Sequence, residues 1–245
     1  MDPWLIGVPV AATLAGASTA FGAVHPRSQM FGETICRTAS PNKLSITFDD
    51  GPNPAITPKL LDLLDRYDAK ATFFVIGRFV RECAALTKEI ADRGHLLANH
   101  TETHPNLFWL TPRALREEMR RCQRALRDAT GKDAKYFRPP YGFRNPWVVS
   151  TARALGMQTV MWTLIPGDWR AQSTDWLVQR MEPITQRAQA ARGTGDVLCL
   201  HDGTHRALGG DYSHTLGALQ SWLPRWRDLG LKFVTISEAV MLPAR

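Results

Sequence analysis

The chain has 245 residues, of which 44% are hydrophobic, and this length with this apolar fraction suits one α/β domain or a small pair with a sizeable core. Its formal net charge of +7 favours anionic partners, but the sequence has no zinc-finger pattern, RNA-binding signature or long run of Lys and Arg, which argues against nucleic acid. Four widely spaced cysteines form no Cys-x-x-Cys pair, so they predict no zinc finger and no disulfide framework.

The first element is an uncharged stretch from Pro3 to Val24, which approaches the length of about 20 residues that a membrane span needs. Its small residues would also suit a signal peptidase, but Asp2 stands where export signals carry bases, and the first base, Arg27, follows the stretch. We expect residues 1–24 to be an apolar membrane anchor or signal-like segment, with a soluble helix as the alternative. We expect residues 25–42 to be an irregular connector.

From residue 43 onward, short apolar strands alternate with amphipathic helices. Seven strands are predicted, at residues 43–46, 71–76, 95–99, 135–138, 157–164, 197–200 and 232–236. Helices are predicted at residues 57–67, 79–93, 112–129, 146–155, 175–190 and 215–228. Strands separated by helices of this length form βαβ units and a parallel sheet. We therefore predict an α/β fold, a (β/α) barrel of about seven parallel strands.

Reactive side chains follow five of these strands, at the point where each strand ends. They are Asp49, Asp50, His100, His104, Arg138, Tyr141, Asp168, Trp169, His201 and Asp202. The carboxyl ends of the strands in a (β/α) barrel share one face, where catalytic groups collect. This convergence predicts a single active site, and it is a stronger argument than any one motif.

A metal site is predicted from two histidines and a carboxylate. His100 and His104 are four residues apart, and on one turn of helix their imidazoles would share a face and bind one ion. Asp50 would complete three protein ligands with open positions, which is typical of catalytic zinc. Such an ion lowers the pKa of bound water to about 7. Glu102, between the histidines, is expected to be solvated or to lie behind the ligands.

Acid–base groups are predicted around that ion. Asp49 is the candidate base for a metal-bound water, and His201 is the matching acid for a leaving amine. Arg138 could orient Asp49 through a charge-assisted hydrogen bond. The backbone N–H of Tyr141 could face an oxyanion. Trp169 could stack on a sugar ring.

These motifs resemble the successive motifs of the polysaccharide deacetylases, carbohydrate esterase family 4, also called the NodB-homology domain. The matching stretches are Thr47-Phe-Asp-Asp-Gly-Pro52, His100-Thr-Glu-Thr-His104, Arg138-Pro-Pro-Tyr141 and Leu198-Cys-Leu-His201-Asp202. The resemblance covers about residues 43–240 and implies that residues 43–245 form the catalytic domain, a distorted (β/α) barrel. It implies a divalent metal and removal of N- or O-acetyl groups from glycans.

The resemblance also implies residue roles that agree with the interpretation from spacing. Its metal ligands are Asp50, His100 and His104, its base and acid are Asp49 and His201, and its orienting and oxyanion residues are Arg138 and Tyr141. The family often has an Asp where this chain has Ile165, and Asp168 is the candidate substitute. It usually has a Leu in the acetyl pocket where this chain has Cys199. Tyr141, Asp168, Trp169 and Cys199 are expected to contact substrate.

The predicted function is a metal-dependent hydrolase that removes N-acetyl groups from a chitooligosaccharide, peptidoglycan or similar glycan. Zinc is the first choice of metal, with cobalt, nickel and manganese as alternatives. The same motifs leave open a deacetylase or deformylase of a lipid-linked amino sugar, and an inactive glycan-binding module. Two histidines and a carboxylate also describe non-haem iron oxygenases, although the second acid argues against them. We expect a membrane-associated or exported cell-envelope protein without an obligate protein partner.

Overall fold

One mostly parallel sheet organises the computed structural model, which describes residues 19–240. Its strands, in chain order, are β1 (Thr34–Ile35), β2 (Arg37–Thr38), β3 (Lys43–Gly51), β4 (Ala71–Val75), β5 (Leu96–Asn99), β6 (Tyr136–Phe137), β7 (Gln158–Val160), β8 (Gly195–His201) and β9 (Lys232–Phe233). The strand order is β1-β7-β6-β5-β4-β3-β8-β2, and β9 also pairs with β3. Among the strands of the described residues, only β2 is antiparallel to its neighbour, β8.

The sheet curls into a barrel because the chain after β7 reaches the far side of β8. Leu164 forms a parallel bridge with Leu198. The backbone N–H of Thr163 donates to the carbonyl of Val197 at 2.9 Å. The predicted (β/α) barrel is therefore confirmed, and its seven predicted strands correspond to β3 through β9. The distortion lies at the bridge, where two residues outside any regular strand complete the ring.

The helices surround this barrel. They are α1 (residues 19–24), α2 (Thr57–Arg66), α3 (Gly77–Glu82), α4 (Ala84–Asp92), α5 (Pro112–Thr130), α6 (Pro146–Ala154), α7 (Thr174–Ala190), α8 (Ser213–Asp228) and α9 (Ile236–Ala239). The helix expected over residues 79–93 is two helices, because Cys83 leaves helical geometry at φ −124° and ψ 44°. The expected irregular connector, residues 25–42, instead contains β1 and β2, which extend the sheet at both ends.

The core explains why β3 is central. Eight of its nine residues are buried, and Ile46 and Phe48 have no exposed surface. Its apolar and polar residues alternate up to the first carboxylate, and both sets are buried, because a strand in a (β/α) barrel is covered on both faces. Truncating Phe48 to Ala would cost about 3–5 kcal/mol through lost burial and the cavity left behind. This rigid strand delivers Asp49 and Asp50 to the carboxyl end of the barrel.

The N-terminal part of the described chain is fastened to the barrel by Arg144. Its buried guanidinium donates to the carbonyl oxygens of Gly22, at 3.2 Å, and His25, at 2.6 Å. Its backbone N–H donates to Ala23. Residues 1–18, which carry most of the expected anchor, lie outside the described residues. None of the helices between residues 19 and 240 has the length and apolar content that a bilayer crossing needs.

Candidate metal centre and catalytic cleft

The end of β3 places two adjacent carboxylates at one site. Successive side chains of a regular strand point to opposite faces. Here the pairing register shifts between Asp49 and Gly51, and Asp50 adopts a left-handed conformation with φ 69°. This irregularity turns both carboxylates toward the same cleft. Only glycine fits next, since a Cβ on Gly51 would lie 2.4 Å from a carboxylate oxygen of Asp202.

Asp202 supports this bend from below. It is fully buried, and its carboxylate accepts a hydrogen bond from the Thr57 hydroxyl. Its backbone carbonyl accepts one from Asn53 at 2.8 Å. Burial raises the pKa of Asp202 to about 7. The Asp of the Leu-His-Asp motif is thus a structural neighbour of the bend and does not line the cleft.

The two histidines converge through a loop. The expected helical turn over residues 100–104 is wrong, because Thr101 and His104 both have positive φ, at 69° and 59°. Asn99 accepts a hydrogen bond from the Thr101 N–H, and the Thr101 hydroxyl accepts one from the His104 N–H. Nδ1 of His100 lies 2.8 Å from the Arg138 carbonyl, so Nδ1 carries the proton and Nε2 keeps its lone pair for a ligand.

Glu102 lies between the histidines and is only 1% exposed. Of the two expectations for this residue, solvated or behind the ligands, the first is therefore wrong. Its carboxylate pairs with the Arg81 guanidinium and lies 3.5 Å from Arg121. These pairs hold the histidine loop against α3 and α5, and they direct Glu102 away from the cleft.

Asp50, His100 and His104 offer one ligand atom each, and these atoms all lie within 4.8 Å of one another. Nε2 of His104 and Nε2 of His100 lie 3.3 and 3.5 Å from Oδ1 of Asp50. That oxygen is buried without a hydrogen-bond partner. A buried, unpaired carboxylate oxygen facing two imidazole nitrogens is the donor set of a divalent cation, so the three residues fit a metal. Within residues 19–240 no other such group occurs.

The protonation states of these groups suit ligands. Burial lowers the pKa of His104 to about 3, which leaves a neutral imidazole at neutral pH. Burial alone would raise the pKa of Asp50, but His205, His104 and His100 outweigh it and hold that pKa well below the ordinary value. Metal ligands must be deprotonated to bind, and both residues meet this condition.

Arg138 fixes Asp49. Its guanidinium is fully buried, and Nη1 donates to Asp49 Oδ1 at 2.6 Å and to the Thr47 hydroxyl at 2.7 Å. It also lies over the ring of Phe74, 4.0 Å from the centroid. Oδ2 of Asp49 is left toward the metal site, 3.9 Å from Nε2 of His100. A charge-assisted hydrogen bond in a dry environment orients a carboxylate strongly.

His201 lies beside Asp49, because these two residues are register partners on β3 and β8. Its Nδ1 is 2.9 Å from Asp168 Oδ1, and its backbone N–H donates to Oδ2 at 2.6 Å. Burial opposes the charged imidazole, yet Asp168 raises the pKa of His201 to about 9. The imidazolium is therefore the main form at neutral pH. The edge of its ring meets Trp169, with centroids 5.0 Å apart.

Two residues expected to contact substrate are buried. Asp168 lies behind His201 and is 5% exposed, and Cys199 has no exposed surface. Cys199 is two residues before His201 on β8, so its side chain points the same way but one level deeper in the barrel. Its thiol contacts Asp49 Oδ2 at 3.4 Å. Ile165 stands where the resemblance would place an Asp, and it lines the cleft. Asp168 supplies the carboxylate next to His201.

Tyr141 and Trp169 do line the cleft, which has a volume of about 680 Å³. Tyr141 has φ 59°, and the edge of its ring meets His104 at 4.6 Å. Trp109, by contrast, is 84% exposed and is absent from the cleft wall. A larger groove of about 960 Å³ lies between α5 and β6, away from all of these side chains.

Sequence reasoning assigned no role to several residues of the cleft wall. They are Trp162, Arg170, Thr204, His205, Arg206 and Tyr212. His205 stacks on His104 with centroids 4.4 Å apart and planes 17° apart, and its Nδ1 lies 3.6 Å from Asp50 Oδ2. The available signal was position, because residues 204–206 lie in the loop that follows β8 and so belong to the catalytic face.

Comparisons with known proteins agree with this site. The family model "Polysaccharide deacetylase" matches residues 37–160, half of the chain. A peptidoglycan-N-acetylglucosamine deacetylase of Bacillus cereus is 37% identical over 80% of this chain and 86% of its own length. A chitooligosaccharide deacetylase of Bradyrhizobium is 37% identical over 64% of this chain and 69% of its own length. The crystal structure of a family 4 pseudoenzyme from Bacillus anthracis superposes with a TM-score of 0.73 at 28% identity, over 84% and 68%.

A barrel with this site at its carboxyl end defines a metal-dependent carbohydrate deacetylase, a hydrolase. The chain belongs to the polysaccharide deacetylase family, carbohydrate esterase family 4. The resemblance inferred from the four motifs is thereby confirmed.

Proposed function

We propose that this enzyme removes the N-acetyl group from N-acetylglucosamine residues of a glycan of the peptidoglycan or chitooligosaccharide type. One observation carries the proposal: Asp49 and His201 flank a group of Asp50, His100 and His104 that fits a cation. The named activities of the two deacetylase relatives support the substrate class. One structural neighbour is a pseudoenzyme, so membership of the family alone does not establish activity. Activity is therefore inferred from these five residues.

The reaction divides among these residues. Asp50, His100 and His104 would hold a divalent cation, with zinc as the first choice. When bound, this cation would polarise the acetyl carbonyl and make a water more acidic. Asp49 takes a proton from the attacking water, and Arg138 keeps its carboxylate aimed at that proton. The water oxygen forms a bond to the acetyl carbon, and the bond from carbon to nitrogen breaks.

The remaining residues complete the step. His201 donates its Nε2 proton to the leaving nitrogen, so the products are acetate and a free amino sugar. Asp168 holds that imidazole by Nδ1 and keeps it charged. The backbone N–H of Tyr141 faces the negative charge that develops on the acetyl oxygen. The ring of Trp169 forms an apolar wall for the sugar.

Release of acetate tests the proposal. The metal-loaded enzyme should release acetate from tetra-N-acetylchitotetraose, called chitotetraose below, or from peptidoglycan, and chelation should abolish the release. Asp49→Asn should lower kcat by about 10²–10⁴-fold, the range for one acid–base group. Asp92→Asn removes an exposed carboxylate paired with Lys88 far from the cleft and is the matched control. No acetate from any N-acetylated glycan, with metal bound, would favour the inactive binding module. Uptake of oxygen with ferrous iron would favour the oxygenase.

A second candidate is a lipid-linked amino sugar at the membrane, as either a deacetylase or a deformylase reaction. The uncharged sequence of residues 3–18 runs directly into α1, where Phe21 and Val24 are more than half exposed. Arg144 fastens α1 to the barrel, so deletion of residues 1–18 leaves this contact intact. The deletion should lower vesicle binding and turnover of lipid-linked sugar while turnover of soluble oligomers persists. If the deletion leaves turnover of lipid-linked sugar and of soluble oligomers equally unchanged, the soluble glycan remains the proposed substrate and the cell envelope the proposed site of action.

A further inference from the structure

The outer wall of the cleft carries two arginines, Arg170 and Arg206. We propose that they bind an anionic group of the substrate, so that the preferred glycan bears carboxylates or phosphates next to the acetylated sugar. The inference rests on the proposed function and narrows its substrate class from amino-sugar glycans in general to acidic ones.

Arg170 stands on the side of the cleft that holds the proton donor. It ends the short 3₁₀ helix Asp168–Arg170, whose first residue is hydrogen-bonded to His201. Its guanidinium lies over the ring of Trp169, 5.4 Å from the centroid, and that ring in turn meets His201. The arginine is therefore placed by the same element that positions the acid, within reach of the sugar whose amine leaves.

Arg206 stands on the side of the metal ligands. It follows His205, which stacks on His104. Its loop is held at both ends, since the Arg78 guanidinium donates to the His205 carbonyl and Asn53 donates to the Gly210 carbonyl at 2.8 Å.

The charge balance of the cleft favours an anion. Among the described residues that line it, Asp49 and Asp50 are the only carboxylates. Asp49 is paired with Arg138, and Asp50 faces the imidazoles of the metal site. Within residues 19–240, no carboxylate forms an ion pair with Arg170 or Arg206. Two guanidinium groups thus face the cleft without a protein counter-charge, and the planar fork of Arg matches both carboxylate and phosphate.

Matched tetrasaccharides test this proposal. The set is neutral chitotetraose, a peptidoglycan tetrasaccharide with free carboxylates, the same compound with its carboxylates amidated, and chitotetraose 6-phosphate. Arg170→Gln and Arg206→Gln should each reduce the selectivity for charged over neutral tetrasaccharide, measured as the ratio of kcat/KM, by about threefold to fivefold, which is typical of one exposed ion pair. The double variant should reduce this selectivity about tenfold, and the reduction should come from KM and not from kcat. Selectivity of the parent should also fall with added salt.

Arg192→Gln is the matched control, because Arg192 is exposed beyond the end of α7 and does not line the cleft. It should leave the selectivity ratio unchanged. An equal effect of Arg192→Gln, or equal losses on charged and neutral substrates, would overturn the proposal. A loss confined to the phosphorylated or to the carboxylated tetrasaccharide identifies the anion.

Binding separates this inference from the proposed function. In the Asp49→Asn background, calorimetry with the same four compounds measures the arginines without turnover. Tighter binding of the charged compounds that disappears with Arg170→Gln and Arg206→Gln supports the inference even where acetate release fails. Equal binding of charged and neutral compounds overturns it even where deacetylation stands.

Discussion

Asp168 holds His201 through two contacts, one from a carboxylate oxygen to Nδ1 at 2.9 Å and one to the backbone N–H at 2.6 Å. The hydroxyl of Thr215 donates to the same carboxylate at 3.1 Å. The pair therefore fixes the ring orientation of His201 and favours its charged form. Asp168, the candidate substitute for the acid that the resemblance leads one to expect at Ile165, thus contacts His201 from three residues further along the chain.

Asp168→Asn should shift the alkaline side of the pH–rate profile. The parent should lose activity as His201 deprotonates near its pKa of about 9. Without the carboxylate, burial lowers that pKa, so the loss should begin at least two pH units lower, and kcat at pH 8 should fall about 10²-fold. The measurement is kcat against pH on chitotetraose. An unchanged alkaline limb would mean that another group sets it.

The same pair should make folding stability depend on pH. The pKa of His201 is raised from 6.5 to about 9 in the folded state, so its contribution is fully present below pH 6.5 and is lost as pH rises through 9. A shift of this size corresponds to roughly 3 kcal/mol. Urea unfolding of the parent should therefore give a lower free energy of unfolding at pH 9.5 than at pH 6. Asp168→Asn should show a much smaller fall, and parallel curves for the two proteins would contradict the assignment.

His205→Ala should weaken metal binding without removing a ligand. His205 stacks on His104 and faces Asp50, so its loss frees two of the three ligands to move. Partners of metal ligands typically contribute about 10–100-fold in affinity. Competition with a chelating dye measures this directly. His214→Ala is the control, since His214 contacts Thr174 outside the cleft. Equal zinc affinity in the parent and His205→Ala would leave His205 as a wall residue only.

Arg138→Met should destabilise the fold because it leaves Asp49 buried without its counter-charge. Breaking one partner of a buried ion pair costs about 3–5 kcal/mol. The double variant Arg138→Met with Asp49→Asn should recover much of that stability and stay inactive. Urea unfolding and acetate release, measured on all three variants, separate the two effects. A double variant no more stable than Arg138→Met would show that the cost comes from lost packing on Phe74.

Cys199 and Cys122 should resist thiol reagents in the native enzyme. Both side chains lack exposed surface, and burial raises the pKa of each thiol, to about 12 for Cys122. Cys36 and Cys83 are partly exposed and should react first. Mass spectrometry after brief alkylation measures the order. Early labelling of Cys199 would mean that the barrel interior opens under Asp49.

Much of the fold followed from pattern. The seven parallel strands were predicted because a buried strand is a short apolar run bounded by turn residues, and this signal is local. The connector before residue 43 was misjudged, since β1 and β2 are two residues each and exist only through pairing with β7 and β8. The break at Cys83 was missed because apolar spacing continues across it.

For the site, the chain by itself determined which chemical groups are present and that they meet at one face, because the carboxyl ends of parallel strands must converge. Only the tertiary structure decided how they meet. The side chains of His100 and His104 converge because two residues of their loop adopt left-handed conformations. Asp168 lies behind His201 and not against substrate, and two arginines line the cleft. Such contacts join segments distant in sequence, so their geometry depends on backbone bends and packing that no local spacing encodes.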